Sequence, residues 1–396
     1  MNAPTKSLTD AAPKRRTLLA VVFALALGGC ALAPRAPQTA QLFNDAAFPA
    51  PAERPEAAEV FALNDAMRAY LRTDIAASAK QMGPHKGLVD ALYKRGGLKL
   101  EYDSAVTRNA AQAFDARTGN CLSLVIMTGA FAKEMGLPVR FQNVAVDETY
   151  SRSGDIQYAI GHVNLTLGVT PNGIAFRNHG VDPLIVDFLP PEDLKGVKMR
   201  VIDEATVVAM YMNNRAAEAL ARGQYPDAYA WAKEAIRQDP DFTSSYNTLG
   251  AVYQRAGRTA DAERAYAYAI ERDPRNTAAM SNRALVLDQL GRRDEARQLR
   301  QKLAVIEPEP PFAAFNRGLA AIRAGDYRTA RDQLEKEAVR SADYHEVHFW
   351  LAVAYAGLGD AGEAQRHLTL ARENSTTRQD RELYAAKLQR IKSGTH

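Results

Sequence analysis

Three residues in this chain have the types and the placement that thiol chemistry requires: Cys121, His162 and Asp187. Cys121 lies in A-R-T-G-N-C-L-S-L-V-I-M-T-G-A-F-A-K-E-M-G-L-P-V-R, residues 116–140. Thr118, Gly119 and Asn120 supply turn and N-cap chemistry. Leu122, Val125, Ile126, Gly129 and Ala130 then recur with the spacing of one helical face. Gly136 and Pro138 end that helix, so Cys121 falls in its first turn, where unpaired backbone N–H groups and the helix dipole favour thiolate over thiol. The ordinary reading of a lone cysteine is a small core residue. A nucleophile also needs a base and an orienting group. Of seven histidines, His162 begins the strictly alternating run H-V-N-L-T-L, while His179, in a polar loop, is its rival. Asp187 ends the apolar run Leu184-Ile185-Val186, and Asp182, which precedes a proline, reads as a turn residue.

The amino terminus bears on the thiol. Lys14, Arg15 and Arg16 precede ten apolar residues, Leu18 to Leu27, and then Gly28, Gly29 and Cys30. A basic segment, a short apolar core and small residues make an export signal that is too short for an ordinary membrane span. L-G-G-C resembles the bacterial lipobox. The resemblance implies that Cys30 is lipidated and becomes the mature first residue, and Ala31 after it implies the outer membrane, facing the periplasm. Cys121 is then left without a partner in an oxidising compartment, where a leftover thiol is better explained by reactivity than by packing. Removal of residues 1–29 takes away Lys6, Lys14, Arg15, Arg16 and Asp10, so the formal charge falls from +4 to +1. The basic balance belongs to the discarded segment, and nothing points to nucleic acid.

Around these residues the chain divides as follows: 1–29 signal peptide, 30–56 an Ala/Pro-rich tether, 57–201 the cysteine-bearing domain, 202–376 repeats, and 377–396 a capping helix and tail. Val60, Phe61, Leu63, Met67, Tyr70 and Leu71 predict an amphipathic helix from about Glu59. Short helices follow at 87–93 and after 104. Val139–Val146, Tyr158–Val169 and Asp182–Phe188 predict strands, with a loop over 147–155. Helices followed by consecutive strands imply an α+β domain with an antiparallel sheet.

The segments A-F-D-A-R-T-G-N-C-L-S, M-G-L-P-V-R, G-H-V-N-L-T-L and L-I-V-D-F together resemble the transglutaminase-like superfamily of papain-type thiol enzymes, over about Phe61–Met199. The resemblance implies a papain-like α+β fold with Cys121 as nucleophile, His162 as base and Asp187 as its orienter. Val163 stands where the family often has an aromatic residue, so the substrate class is not inherited.

From Ile202 the pattern changes. Ala228, Ala262, Ala296, Ala330 and Ala364 lie 34 residues apart, and Ala216, Gly250, Ala284, Gly318 and Ala352 share that period, as do Pro240, Pro274 and Pro308. This is the tetratricopeptide-repeat signature, an all-α solenoid of about five helix pairs with 377–391 as a polar cap. Tyr229, Trp231, Tyr266, Tyr268 and Trp350 are the candidates to line its groove. The expected function is an envelope thiol enzyme acting on amide bonds of proteins or peptides, by hydrolysis or acyl transfer, with the solenoid recruiting a protein or peptide. The alternative is a catalytically idle scaffold lipoprotein in an envelope assembly or polymer-export complex. No cofactor is implied, and zinc-ligand spacing is absent. Anchoring is directly testable: Cys30→Ser is expected to move the protein out of the membrane fraction, and retention through high-salt washing would exclude lipidation as the anchor.

Overall fold

The computed structural model describes residues 38–94, 98, 100–103, 106–153, 156–169, 183–188, 198–308, 312–342, 344–375 and 378–392. Residues 1–29, for which a signal peptide is expected, and Cys30, His179 and Asp182 lie outside them. None of the described helices is long and apolar enough to cross a membrane.

The amino-terminal half is built around one buried helix. Helices α1 (Asp65–Tyr70), α2 (Ala76–Met82), α3 (Pro84–Tyr93) and α4 (Ala110–Ala116) precede α5 (Cys121–Glu134). The helix expected from Glu59 starts later, because the Asn64 side chain accepts the Met67 N–H and caps α1. In α5 every residue from Leu122 to Ala132 is buried, so the one-sided stripe expected there is in fact an all-round apolar helix. It packs against α3, α4, a sheet and the first helix of the repeats. Gly136 takes the left-handed position that ends it, at φ 69°.

The sheet has four strands in the order β5-β4-β3-β6, with β3 Val139–Ser153, β4 Ile156–Leu167, β5 Leu184–Val186 and β6 Lys198–Ile202, every pairing antiparallel. The loop expected over 147–155 is therefore mostly strand. What interrupts the alternation is a bulge: Val144 faces His162 and Thr149 faces Ile160, so four residues of β3 lie opposite Gly161 alone. A two-strand ladder, β1 (Glu101–Tyr102) and β2 (Thr118–Gly119), flanks the start of α5.

After Ile202 the helices come in antiparallel pairs: α6 Glu204–Ala221 with α7 Tyr225–Gln238, α8 Ser244–Arg255 with α9 Thr259–Arg272, α10 Thr277–Gln289 with α11 Arg293–Ile306, α12 Ala313–Arg323 with α13 Tyr327–Arg340, and α14 His345–Gly357 with α15 Ala361–Glu373. Helix α16 (Arg378–Lys392) packs on the last pair. The five alanines spaced 34 apart are all fully buried in the second helix of each pair. Gly250 shows why the first helix needs a small residue at the matching place: a Cβ there would lie 2.6 Å from the Tyr266 ring. A third register, Gly223, Gly257, Gly291, Gly325 and Gly359, ends each first helix at φ between 73° and 80°. Of the proposed groove aromatics, Tyr229, Trp231 and Tyr266 are buried between helices, and only Tyr268 and Trp350 are partly exposed.

Two features join the halves. One apolar core runs without a break from Leu42 through α5 and the sheet to Val286 in α10, so the solenoid has no separate core at its amino-terminal end. Strand β4 also meets α8 and α10. Residues 38–56 correct the tether expected there. From Gln38 onward the chain lies on the first two repeats: the Asn44 N–H donates to the Tyr253 hydroxyl at 2.9 Å, and Phe48 stacks on Tyr229 with centroids 4.5 Å apart. Aromatic and backbone contacts hold a segment whose composition alone suggests a free linker.

The last repeat buries a histidine pair. His348 Nε2–H donates to the Ala342 carbonyl (2.6 Å), which leaves its Nδ1 to accept from His367 Nδ1–H at 3.1 Å. His367 Nε2 then accepts from Arg366 (2.8 Å), and its ring stacks on Tyr355. Burial, with the charges of Arg366 and His348 adding to it and Glu363 opposing, lowers the His367 pKa to about 4. The unfolded chain binds this proton near pH 6.5 and the folded one does not. Stability should therefore fall as pH drops from about 6.5 towards 4, by roughly 3 kcal/mol at most. Thermal melts at pH 7 and pH 5 check this: the difference should shrink clearly in His367→Gln.

Candidate functional site

The first turn of α5 carries Cys121, half-buried and with its thiol free of any disulfide. Asn120 is the N-cap: its side-chain oxygen accepts the Ser123 N–H at 2.9 Å and the Ser123 hydroxyl at 2.8 Å. Its amide nitrogen donates to the Thr107 hydroxyl at 2.9 Å, and Ser123 Oγ accepts the Arg108 N–H at 2.8 Å. The turn that presents Cys121 is thus tied to residues 107–108. These in turn reach the first repeat. The Thr107 N–H donates to Glu218 on α6 (2.6 Å), Arg215 pairs with Glu218 (3.4 Å), and Arg215 pairs with Glu53 of the amino-terminal segment (2.9 Å).

Strand β4 delivers the imidazole. His162 is buried at the bulge and Asp187 follows β5, the neighbouring strand, so the two side chains meet with His162 Nε2 2.7 Å from Asp187 Oδ1. The Cys121 sulfur acts on the same ring, whose Nδ1 is the nitrogen left to face it. Burial by itself lowers the His162 pKa, but the Asp187 carboxylate and the nearby Cys121 sulfur outweigh it and raise it to about 9. The structure thus brings together the three residues picked out by type and spacing.

Two further residues complete the arrangement. Asn164 is fully buried, and its amide donates to Asp187 Oδ2 at 2.7 Å, so both carboxylate oxygens are held. It lies two residues after His162 on the same strand face, a placement legible in H-V-N-L-T-L. Tyr102 sits opposite Gly119 in the β1–β2 ladder, which brings its phenol close to Cys121. Half of Tyr102 faces solvent, yet its hydroxyl end is covered. Desolvation, with the negative charge of Cys121 and Asp103 adding to it, pushes its pKa up to about 12, so the phenol stays a proton donor. A two-residue strand leaves no period in the sequence, and nothing there singles out Tyr102.

A separate cleft of about 260 Å³, lined by Glu53, Glu56, Asn109, Tyr211, Arg215 and Trp231, lies between the amino-terminal segment and α6–α7 and does not contain Cys121. Among the described residues no group of three or more His, Cys, Asp or Glu is placed to hold a metal ion.

Comparison with known proteins bears on the repeats. A tetratricopeptide-repeat family model matches residues 247–313 and 315–375. With the 34-residue register, this makes the carboxy-terminal part a helical tetratricopeptide-repeat solenoid, a class of scaffold for protein–protein interaction. No curated protein matches the chain. Among solved structures, a thermophilic tetratricopeptide-repeat protein of Thermus thermophilus is 20% identical, covering 46% of this chain and 98% of that one at a TM-score of 0.32. YrrB, described as a repeat protein with an unusual peptide-binding site, is 19% identical over 45% of this chain and 92% of that one at a TM-score of 0.25. MamA is 19% identical over 44% and 93%, also at 0.25.

The raised His162 pKa carries a sign. Its folded value lies above the ordinary 6.5, so the pairing contributes stability in full below about pH 6.5 and loses it as pH rises through about 9. Asp187→Asn should lower the His162 midpoint seen in its ring-proton NMR shift and flatten that loss. An unchanged midpoint would show that Asp187 does not set it.

Proposed function

We propose that this chain is a lipid-anchored envelope thiol enzyme of transglutaminase-like, papain-type character, acting on an amide bond of a protein or peptide. The observation that carries the proposal is the placement of one imidazole, His162, bonded through Nε2 to Asp187 and close enough to the Cys121 sulfur to be shifted by it. A thiol, a base and an orienting carboxylate in that order make a nucleophilic triad. The export signal before Cys30 and the unpaired cysteine after it support the envelope setting, and the solenoid supports recruitment of a protein partner.

The chemistry follows from the positions. The thiol proton already rests on His162 Nδ1, in keeping with the raised His162 pKa, and the sulfur attacks the amide carbonyl carbon. The oxygen of the tetrahedral intermediate develops its charge at the amino terminus of α5, where the Cys121 N–H and the Tyr102 hydroxyl are the available donors. His162 then gives the proton to the departing amine nitrogen, the C–N bond breaks, and a thioester remains on Cys121. Water enters in place of the amine and loses a proton to His162. Its oxygen attacks the thioester carbonyl, and collapse releases the carboxylic acid and the thiol. An amine in place of water gives transfer instead of hydrolysis. Asp187 and Asn164 keep the ring oriented with Nε2 bonded and Nδ1 towards sulfur.

The test is a peptide-amide activity-based probe applied to the full chain. Labelling should be absent in Cys121→Ala. His162→Ala should slow it at least a hundredfold and Asp187→Ala less severely. Tyr102→Phe should slow it about a hundredfold, the usual cost of losing one oxyanion donor. Turnover should decline as pH rises through about 9, where His162 loses the proton that the leaving amine needs. Equal labelling of the intact protein and His162→Ala would exclude the triad and leave the scaffold reading.

A further inference from the structure

Residues 38–53 are bound to repeats one and two in the way a peptide ligand is bound. The contacts to the main chain are paired. The Tyr253 hydroxyl donates to the Leu42 carbonyl at 2.8 Å and accepts the Asn44 N–H at 2.9 Å. Asp227, 8% exposed, takes the consecutive N–H groups of Ala52 and Glu53 on one carboxylate oxygen, at 2.6 and 3.1 Å. Contacts of this kind hold the main chain whatever its side chains, here on either side of a 3-10 turn at Asp45–Ala47. Two side chains supply selectivity. Asp45 accepts from the Tyr229 hydroxyl at 2.8 Å and pairs with Lys233; Phe48 lies flat on the Tyr229 ring, 18° from parallel. Asn44 adds a bond to Asp261 at 3.0 Å.

The surface that makes these contacts is distinct from the side of the repeats facing the sheet. Asp227 and Asp261 are in the first turns of α7 and α9, and Tyr253 is in the last turn of α8, so the segment follows the edge where paired helices join. Strand β4 instead meets α8 and α10. The bound segment is also thin. Between residues 39 and 59 only Thr39 and Leu42 are buried, with the remaining side chains partly or fully in solvent. Segments with so few buried contacts open at low cost relative to the core. The receiving surface has the opposite character: Tyr229, Tyr253 and Asp227 are buried and belong to the regular helices α7 and α8.

We propose that this edge of repeats one and two is a peptide-binding site for a segment that presents Asp-x-x-Phe on a short 3-10 turn, held in cis by Asp45-Ala46-Ala47-Phe48 and taken over by a partner protein displaying the same pattern. Tethering gives the internal segment an effective concentration in the millimolar range, so a partner competes only when it is locally abundant or multivalent. The proposal gives the recruiting role a defined surface and stands apart from the thiol chemistry, since no step of it passes through Cys121.

The experiment uses the full chain and a fluorescent peptide of residues 38–56, read by anisotropy. The wild-type protein should bind this probe weakly. Asp45→Ala with Phe48→Ala in the protein frees the internal segment, which hydrogen exchange at residues 38–56 verifies, and should tighten probe binding at least tenfold. Adding Asp227→Asn or Tyr229→Ala to that variant should return binding to the wild-type level. A probe that itself carries both alanine changes should fail to compete. The proposal is overturned if the released variant binds the probe no better than wild type, if the altered probe competes equally, or if residues 38–56 stay protected in the double variant. The thiol proposal is judged by labelling of His162→Ala with the segment in place, so the two proposals fail separately.

Discussion

Everything in the amino-terminal half answers to the burial of α5. A helix apolar on all sides has no face to offer to water, so it must be enclosed, and α3, α4, the sheet and α6 together enclose it. Enclosure leaves only its ends accessible, and its amino-terminal N–H groups need acceptors that apolar packing does not supply. Asn120 provides the cap, and Thr107, Arg108 and Ser123 fasten the cap in place. Cys121 is the first residue beyond that fastening. Its partial exposure, its closeness to the helix dipole and its distance from the rest of the core all follow from one packing requirement.

Much of this is legible in the chain, for identifiable reasons. The 34-residue register of Ala228, Ala262, Ala296, Ala330 and Ala364 is a direct record of helix contacts, because each contact tolerates only a small side chain. The meeting of His162 and Asp187 is foreshadowed by each lying at the end of an apolar or alternating run, where strands present residues side by side. Tyr102 leaves no trace, because its role comes from a two-residue ladder with no periodicity. The hairpin beyond the bulge reads as a loop because a polar run in an extended ladder has the same composition as a turn.

The amino-terminal segment shows a different limit. Pro49, Pro51 and Pro55 interrupt any helix between residues 38 and 56, alanine is a poor strand former, and composition then suggests a free chain. What holds the segment is almost entirely supplied by its partner surface: the hydroxyls of Tyr229 and Tyr253 and the carboxylates of Asp227 and Asp261. Tyr253 also occupies a signature position of the repeat, so its second duty is hidden behind its first.

The bond from Thr107 to Glu218 makes the first repeat something other than the start of an interchangeable series. Repeats from α12 onward pack into core clusters of their own and answer only to their neighbours. The pair α6–α7 instead supplies the acceptor that steadies the turn before Cys121, and its apolar face is continuous with that of α5. A distal repeat can therefore be added, removed or exchanged without disturbing a contact of the cysteine helix. The proximal pair cannot be parted from that helix without exposing the core they share, and the joint at which the chain divides lies well past residue 202.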